Sequence, residues 1–338
     1  MRELADRYGR VARDLRVSLT DRCNLRCTYC MPAEGLPWLP TEQSLTDSEM
    51  IRLLRIAVEQ LGVHTLRFTG GEPLLRKGLE EIIAAASALR TADGDQPDIA
   101  LTTNGLGLER RLSGLIEAGL KRVNISVDSL DPTTYARITR RDRLPDVLRS
   151  IEAVADAGLR PLKINSVIMR GENEDDVLRL AAYALANGYE LRFIEQMPLG
   201  PRHSWDRSQM VTAQEIIETL SGHYTITPAA EPRGAAPAAR WSAAADSSQP
   251  GGTIGIIASV TAPFCGDCDR TRITSDGQVR SCLFSQRETD LRVLLRSGDT
   301  DETIADAWVG EHRIKPRGHG IDDEDFTQPE RTMSAIGG

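Results

Sequence analysis

Between Leu15 and Glu195, short apolar runs alternate with longer stretches in which apolar residues recur every three to four positions. The short runs are Leu15–Thr20, Thr65–Thr69, Ile99–Thr103, Arg122–Asp128, Leu162–Ile168 and Leu191–Glu195. Turn residues bound each run, and several are almost continuously apolar, which is the pattern of parallel strands buried on both faces. The intervening helices carry start signals. Thr46-Asp47-Ser48-Glu49 and Thr212-Ala213-Gln214-Glu215 are capping boxes, in which a threonine oxygen and a glutamate satisfy backbone N–H groups that the first turn leaves without partners. Six βα units in succession predict an α/β fold with a parallel sheet and right-handed crossovers. The sheet is either open and doubly wound or curved into an incomplete barrel. Both arrangements gather ligands at the C-terminal ends of the strands.

The pattern breaks near Thr227. From there to Gly252, Ala, Pro, Gly and Ser dominate, as in Glu231-Pro232-Arg233-Gly234, and the stretch reads as a loop or linker. Three parts follow: residues 1–226 as the βα region, 227–252 as the linker, and 253–338 as a second module with a helix near Asp301–Val309 and a polar tail. Composition narrows the class. In 338 residues, 40% are hydrophobic and 27% charged, enough for a packed core, and the net charge of −8 argues against a nucleic-acid coat or a membrane-surface protein. No apolar run approaches a membrane span, and Met1 to Arg16 lacks a signal-peptide core, so a cytoplasmic location is expected.

The six cysteines form two triads: Cys23, Cys27 and Cys30 as C-x3-C-x2-C after the first strand, and Cys265, Cys268 and Cys282 as C-x2-C-x13-C in the second module. A disulfide framework does not suit a long chain without a secretory signal. Core packing scatters cysteines rather than clustering them in polar loops. Zinc is the serious rival, but structural zinc takes four protein ligands and the histidines, at 64, 203, 223, 312 and 319, are scattered. A cubane iron–sulfur cluster held by three cysteines keeps one iron open to a ligand.

The first spacing, with Tyr29 beside the third cysteine, resembles the radical S-adenosylmethionine superfamily signature. The resemblance implies that the open iron chelates the amino and carboxylate groups of S-adenosylmethionine, whose reductive cleavage yields a 5′-deoxyadenosyl radical. Gly70-Gly71-Glu72-Pro73, after the second strand, resembles the same superfamily's motif for the methionyl end. It could equally be a plain turn before a helix.

In the second triad, Asp276-Gly277 reads as a hairpin turn, and Arg270 and Arg272, two apart on a strand, should project to one side. Two guanidinium groups beside an open iron suit a phosphate-bearing ligand. The strands supply further polar groups: Arg16, Arg67, Thr102, Ser126 with Asp128, Lys163 with Asn165, then Arg192, Glu195 and Met197. Charges inside otherwise buried runs need partners, and for Arg67, Lys163 and Arg192 an anionic substrate would be that partner.

From Leu15-Arg16-Val17-Ser18 to the closing Gly337-Gly338, with the Arg-Thr-Arg at Arg270 to Arg272, the combination resembles the GTP 3′,8-cyclase family of molybdenum cofactor biosynthesis. The resemblance implies an incomplete (β/α)6 TIM-like barrel with a C-terminal module carrying an auxiliary cluster. It also implies two 4Fe–4S clusters, one on each triad, and S-adenosylmethionine near Tyr29, Gly71, Ser126 and Met197. GTP would meet Arg16, Arg67, Thr102, Lys163, Arg192, Arg270, the backbone of Thr271, and Arg272. Arg16 and the threaded-back Gly337 and Gly338 would be the catalytic candidates. The implied partners are GTP, an electron donor and a downstream pterin-forming enzyme; the oligomeric state stays open, a homodimer included. A peptide-modifying radical enzyme with an auxiliary cluster would share the first triad but not Arg-Thr-Arg or the terminal Gly-Gly. A zinc-stabilised binding protein would be a different class.

Overall fold

The computed structural model describes residues 2–202, 205–247 and 249–337. Six strands come first: β1 Asp14–Ser18, β2 Thr65–Thr69, β3 Asp98–Thr103, β4 Arg122–Ser126, β5 Lys163–Ile168 and β6 Glu190–Glu195. They pair in sequence order and parallel, matching the six apolar runs to within two residues at their ends. Helices cross between them, and both capping boxes form, Thr46 with Glu49 and Thr212 with Glu215. The main core is apolar and mostly aliphatic, from Leu15 and Val17 on the sheet to Leu54, Ile83 and Ile151 on the helices.

Beyond β6 the structure departs from expectation. The Ala/Pro-rich stretch is not all loop: β7 Ile226–Pro228 and β8 Ala239–Ala243 form an antiparallel hairpin, and β8 pairs with β9 Gly252–Ile257. The strand does alternate apolar and polar residues, Ala239, Trp241 and Ala243 against Arg240 and Ser242. But it is short, lies next to the sheet's edge with only Ala243 buried, and is set among Ala, Pro and Gly that mask the alternation. The residues after Thr253 do not build a sheet of their own either. β9 adds parallel to β6 at one end, whereas β10 Arg270–Ile273 adds parallel to β1 at the other. β11 Gln278–Arg280 and β12 Thr289–Asp290 follow antiparallel, giving one sheet in the order β12-β11-β10-β1-β2-β3-β4-β5-β6-β9-β8-β7. The turn at Asp276-Gly277 is present, with Gly277 at φ 79. The helix Asp301–Arg313 runs four residues past its expected end and packs Trp308 into the core.

Candidate active site

Parallel register decides which side chains meet. Arg16 is level with Arg67 on one neighbour and Arg272 on the other, so three guanidinium groups share one row. Further rows place Thr102 beside Asn124, and Ser126, Asn165 and Arg192 in line. These residues border a cavity of about 340 Å³, and all six cysteines border it too. Tyr29, Gly71, Met197 and Arg270, also expected from the sequence, border it as well. The last residues of β1 to β4 and β6, or the loops just after them, carry Cys23, Gly71, Asn104, Ser126 and Met197, all at the C-terminal ends of the strands.

Three expected residues stand apart. Lys163 lies at the start of β5 and faces Glu190 at 3.8 Å rather than the cavity. The Thr271 side chain turns into the core, where its Oγ1 accepts a hydrogen bond from Trp308 Nε1 at 2.9 Å, leaving only its backbone toward the site. Glu195 is also turned away: its carboxylate accepts N–H groups from Ala213, Val260 and Thr261 and ties β6 to the chain that follows it. Gly337 approaches from the tail, and Arg272 Nη1 donates to its carbonyl oxygen at 2.8 Å. Gly338 lies outside the described residues.

The partner argument made from the sequence needs correction. Arg16 already pairs with Asp14 at 2.9 Å, and Arg192 Nε donates to Glu190 at 2.8 Å. Arg67 lies 4.0 Å from Asp14. The signal was present: Asp14 and Glu190 each sit two residues before an arginine, on the same strand face. Even so, six cations (Arg16, Arg67, Lys163, Arg192, Arg270 and Arg272) outnumber the carboxylates facing them, Asp14, Glu190 and Asp269. The surplus shows in their proton affinities. Burial, then Arg16 and Arg270, push Arg272 down to about 9; burial, then Arg192, push Lys163 down to about 8. Arg67 Nε and Asn165 Oδ1 are buried without a partner among the described residues. Orphaned groups beside excess positive charge fit a polyanion with hydrogen-bonding heteroatoms.

The first triad's loop is tightly framed. Glu72 accepts from Leu74 N, Thr103 Oγ1 and Asn104 N, and Asn104 Nδ2 lies 3.8 Å from Cys23 Sγ. Tyr29 OH donates to Asp128 Oδ2 at 2.9 Å. Burial raises Glu72 to about 7 and Asp128 to about 6. Burial also raises the thiols of Cys23 to about 11 and Cys30 to about 12, so loading a cluster must expel protons. A Cβ on Gly71 would lie 2.4 Å from Arg22 O and 2.5 Å from Asp21 O. The close approach that this glycine permits is therefore to the triad's own loop. Gly200, not anticipated, does the same against Tyr29 O, at 2.1 Å.

The second triad differs. Lys315 Nζ stands 3.5 Å and Arg270 Nη1 3.8 Å from Cys268 Sγ. Burial alone would raise the Cys268 thiol, yet Lys315 and Arg270 hold it below its ordinary value. Arg270 Nη2 also donates to Ala235 O at 2.7 Å and its guanidinium lies over Phe264, so the Ala/Pro-rich stretch forms part of the site wall. Among the described residues no three Cys, His, Asp or Glu side chains close on a single-ion site. Zinc needs sulfurs about 2.3 Å from one centre; a cubane spreads its cysteines over separate corners, which suits three thiols facing one cavity.

Comparison with known proteins agrees with this geometry. Residues 17–184 match the Radical SAM superfamily, and residues 189–321 match Molybdenum Cofactor Synthesis C. The chain is 63% identical to GTP 3′,8-cyclase of Corynebacterium glutamicum (strain R), covering 100% of this chain and 90% of that protein. It is 57% identical to GTP 3′,8-cyclase of Mycolicibacterium smegmatis, covering 99% and 92%. Among solved structures, Streptococcus suis SuiB bound to precursor peptide SuiA superposes with a TM-score of 0.60 at 13% identity, over 93% of this chain and 67% of that one, a likeness of fold. The chain belongs to the GTP 3′,8-cyclase family of radical S-adenosylmethionine enzymes.

Proposed function

We propose that this chain cyclises GTP to 3′,8-cyclo-7,8-dihydro-GTP, the opening step of molybdenum cofactor biosynthesis, at the cavity bordered by both triads. Cys23, Cys27 and Cys30 hold one 4Fe–4S cluster, and Cys265, Cys268 and Cys282 hold a second, each leaving an iron open. When bound, the first cluster and S-adenosylmethionine supply the radical that removes hydrogen from C3′ of the ribose before that carbon attacks C8. The remaining work belongs to the protein. Tyr29, Gly71, Ser126 and Met197 position the adenosyl donor. Arg16, Arg67, Arg192, Arg270 and Arg272 neutralise the triphosphate, Thr102 supplies a hydroxyl, and Lys163 acts from beneath through Glu190. Thr271 contributes its backbone. Gly337 closes the cavity where a side chain would not fit, and Gly338 is the tail's other catalytic candidate. The walls exclude water and orient the nucleotide, as cofactor enzymes do.

The observation that carries this reading is the shared cavity: two three-cysteine sets and a row of arginines face the same space. The family's chemistry also calls for a one-electron donor and a downstream enzyme that takes the cyclised nucleotide. Among the described residues no helix is long and apolar enough to cross a membrane; the location proposed is the cytoplasm. The test is anaerobic reconstitution, then incubation with GTP, S-adenosylmethionine and dithionite. About eight irons per chain and a product of GTP mass with a new C3′–C8 bond are expected. Stoichiometric zinc without iron, or cleavage of S-adenosylmethionine with GTP untouched, would overturn the proposal.

A further inference from the structure

Lys315 is one of four lysines in the chain and is 3% exposed. It was not among the site residues read from the sequence, and it follows the helix Asp301–Arg313 by one residue. Its ammonium group has three donors, and each faces an acceptor on the second triad's strand. Nζ donates to the Cys268 carbonyl oxygen at 3.1 Å and to the Arg270 carbonyl oxygen at 2.9 Å, and stands 3.5 Å from Cys268 Sγ. Among the described residues no carboxylate comes within ion-pair distance of it, whereas its neighbour Arg10 is neutralised by Asp6. A buried ammonium group is costly unless an anion faces it. The anion in reach is the Cys268 sulfur.

We propose that Lys315 is a positioning residue for the second iron–sulfur cluster, fixing the Cys268 limb and raising that cluster's reduction potential above the first cluster's. The inference rests on the reading that the second triad carries a cluster. Adding an electron makes a cluster more negative, so a cation hydrogen-bonded to a ligand sulfur stabilises the reduced form. Around the first triad the balance is reversed. The groups that bond sulfurs there are neutral, the Asn104 amide at 3.8 Å from Cys23 and the Tyr29 hydroxyl beside Cys27; the carboxyl groups of Glu72 and Asp128 stand nearby, and Arg26 turns to the Cys23 carbonyl oxygen instead, at 2.7 Å. Lys315 thus sets a positive charge at a ligand sulfur of the second triad, whereas the first triad's Arg26 reaches only a backbone carbonyl.

Arg10 separates a charge effect from a packing effect. It donates to the carbonyl oxygens of Cys265, Pro316 and Arg317 and so clamps the same loop, but its charge is cancelled by Asp6. The experiment is potentiometric EPR on the reconstituted full-length chain in which Cys23, Cys27 and Cys30 are alanine, so that only the second cluster signals. Lys315→Met should shift the one-electron equilibrium toward the oxidised form by at least tenfold, roughly 59 mV. Lys315→Arg should stay within a few-fold of the parent, and so should Arg10→Met. An unmoved potential in Lys315→Met, or an equal shift in Arg10→Met, would overturn the proposal. If Lys315→Met assembles no second cluster, iron content decides: retention by Lys315→Arg and Arg10→Met supports it, and loss in Arg10→Met as well reduces Lys315 to packing and overturns it. A parent without any second-cluster signal would instead sink the cluster reading itself.

Discussion

The two cysteine triads use the same device in opposite surroundings. Cys23, Cys27 and Cys30 meet no cation at a sulfur among the described residues: the Tyr29 hydroxyl, the Asn104 amide and the buried carboxyls of Glu72 and Asp128 surround them, and the one guanidinium in their loop, Arg26, bonds the Cys23 carbonyl oxygen at 2.7 Å. Cys265, Cys268 and Cys282 lie among Lys315, Arg270 and Arg272. Surroundings of the first kind oppose reduction of a cluster and favour a strong reductant once the electron is in place. Those of the second kind ease reduction and draw in a polyanion. On the proposed function, local charge rather than ligand type would divide radical generation from substrate capture between the two sites.

Breaking one triad at a time gives the largest contrast. Cys27→Ala should lose about four irons and all cleavage of S-adenosylmethionine. Cys268→Ala should lose a similar number yet still release 5′-deoxyadenosine while forming no cyclised product; iron assay and product chromatography read both. Next comes the tail that spans the two regions. Gly337 sits at φ +85, and a Cβ there would lie 2.7 Å from Ser18 Cβ. Gly337→Ala should displace its carbonyl from Arg272 and lower cyclisation about a hundredfold, as a misplacement of about 1 Å can, with cleavage of S-adenosylmethionine still measurable. Arg67→Met removes one charge from the row, and GTP binding by calorimetry should weaken roughly 10- to 100-fold, the worth of a charge-assisted hydrogen bond.

Acid should affect the two regions in opposite directions. Burial raises Glu72 from 4.5 to about 7. The folded state therefore binds the extra proton, and stability in this region falls as pH rises from 4.5 toward 7. Burial lowers His312 from 6.5 to about 3. Here the unfolded state takes the proton first, so stability falls as pH drops below 6.5, by up to about 1.4 kcal/mol per unit. Melting curves of the cluster-free protein between pH 5 and 8 should show Glu72→Gln flattening the first slope and His312→Leu the second. If each variant flattened the other's slope, the assignment of those charges would be wrong. The smallest effect calibrates the rest: Thr46→Ala removes a helix cap outside both regions, costs about 1 kcal/mol, and should leave the iron content unchanged.

Much of the first region was legible in the sequence because its signals are local. The cluster loop, the glycine turn and the strand ends each lie within a few residues of the strand that positions them. Thr46 and Thr212 cap their helices as their own neighbours dictate. The second region was legible only as a motif. Nothing near Arg270 says that β10 will pair with β1, some 250 residues away in sequence, and nothing in the alanines near Ala235 says that one carbonyl will hold Arg270.

The chain's own order of residues therefore determined the parallel strands, the helix caps and the two cysteine spacings, since each depends on periodicity or on a few consecutive positions. Tertiary structure alone decided that Arg16, Arg67 and Arg272 stand in one row, that Asp14 and Glu190 offset part of their charge, and that Lys315 reaches Cys268. Those are meetings between distant segments. Strand register and burial, which no local pattern specifies, set which charges face one another and how strongly they are felt.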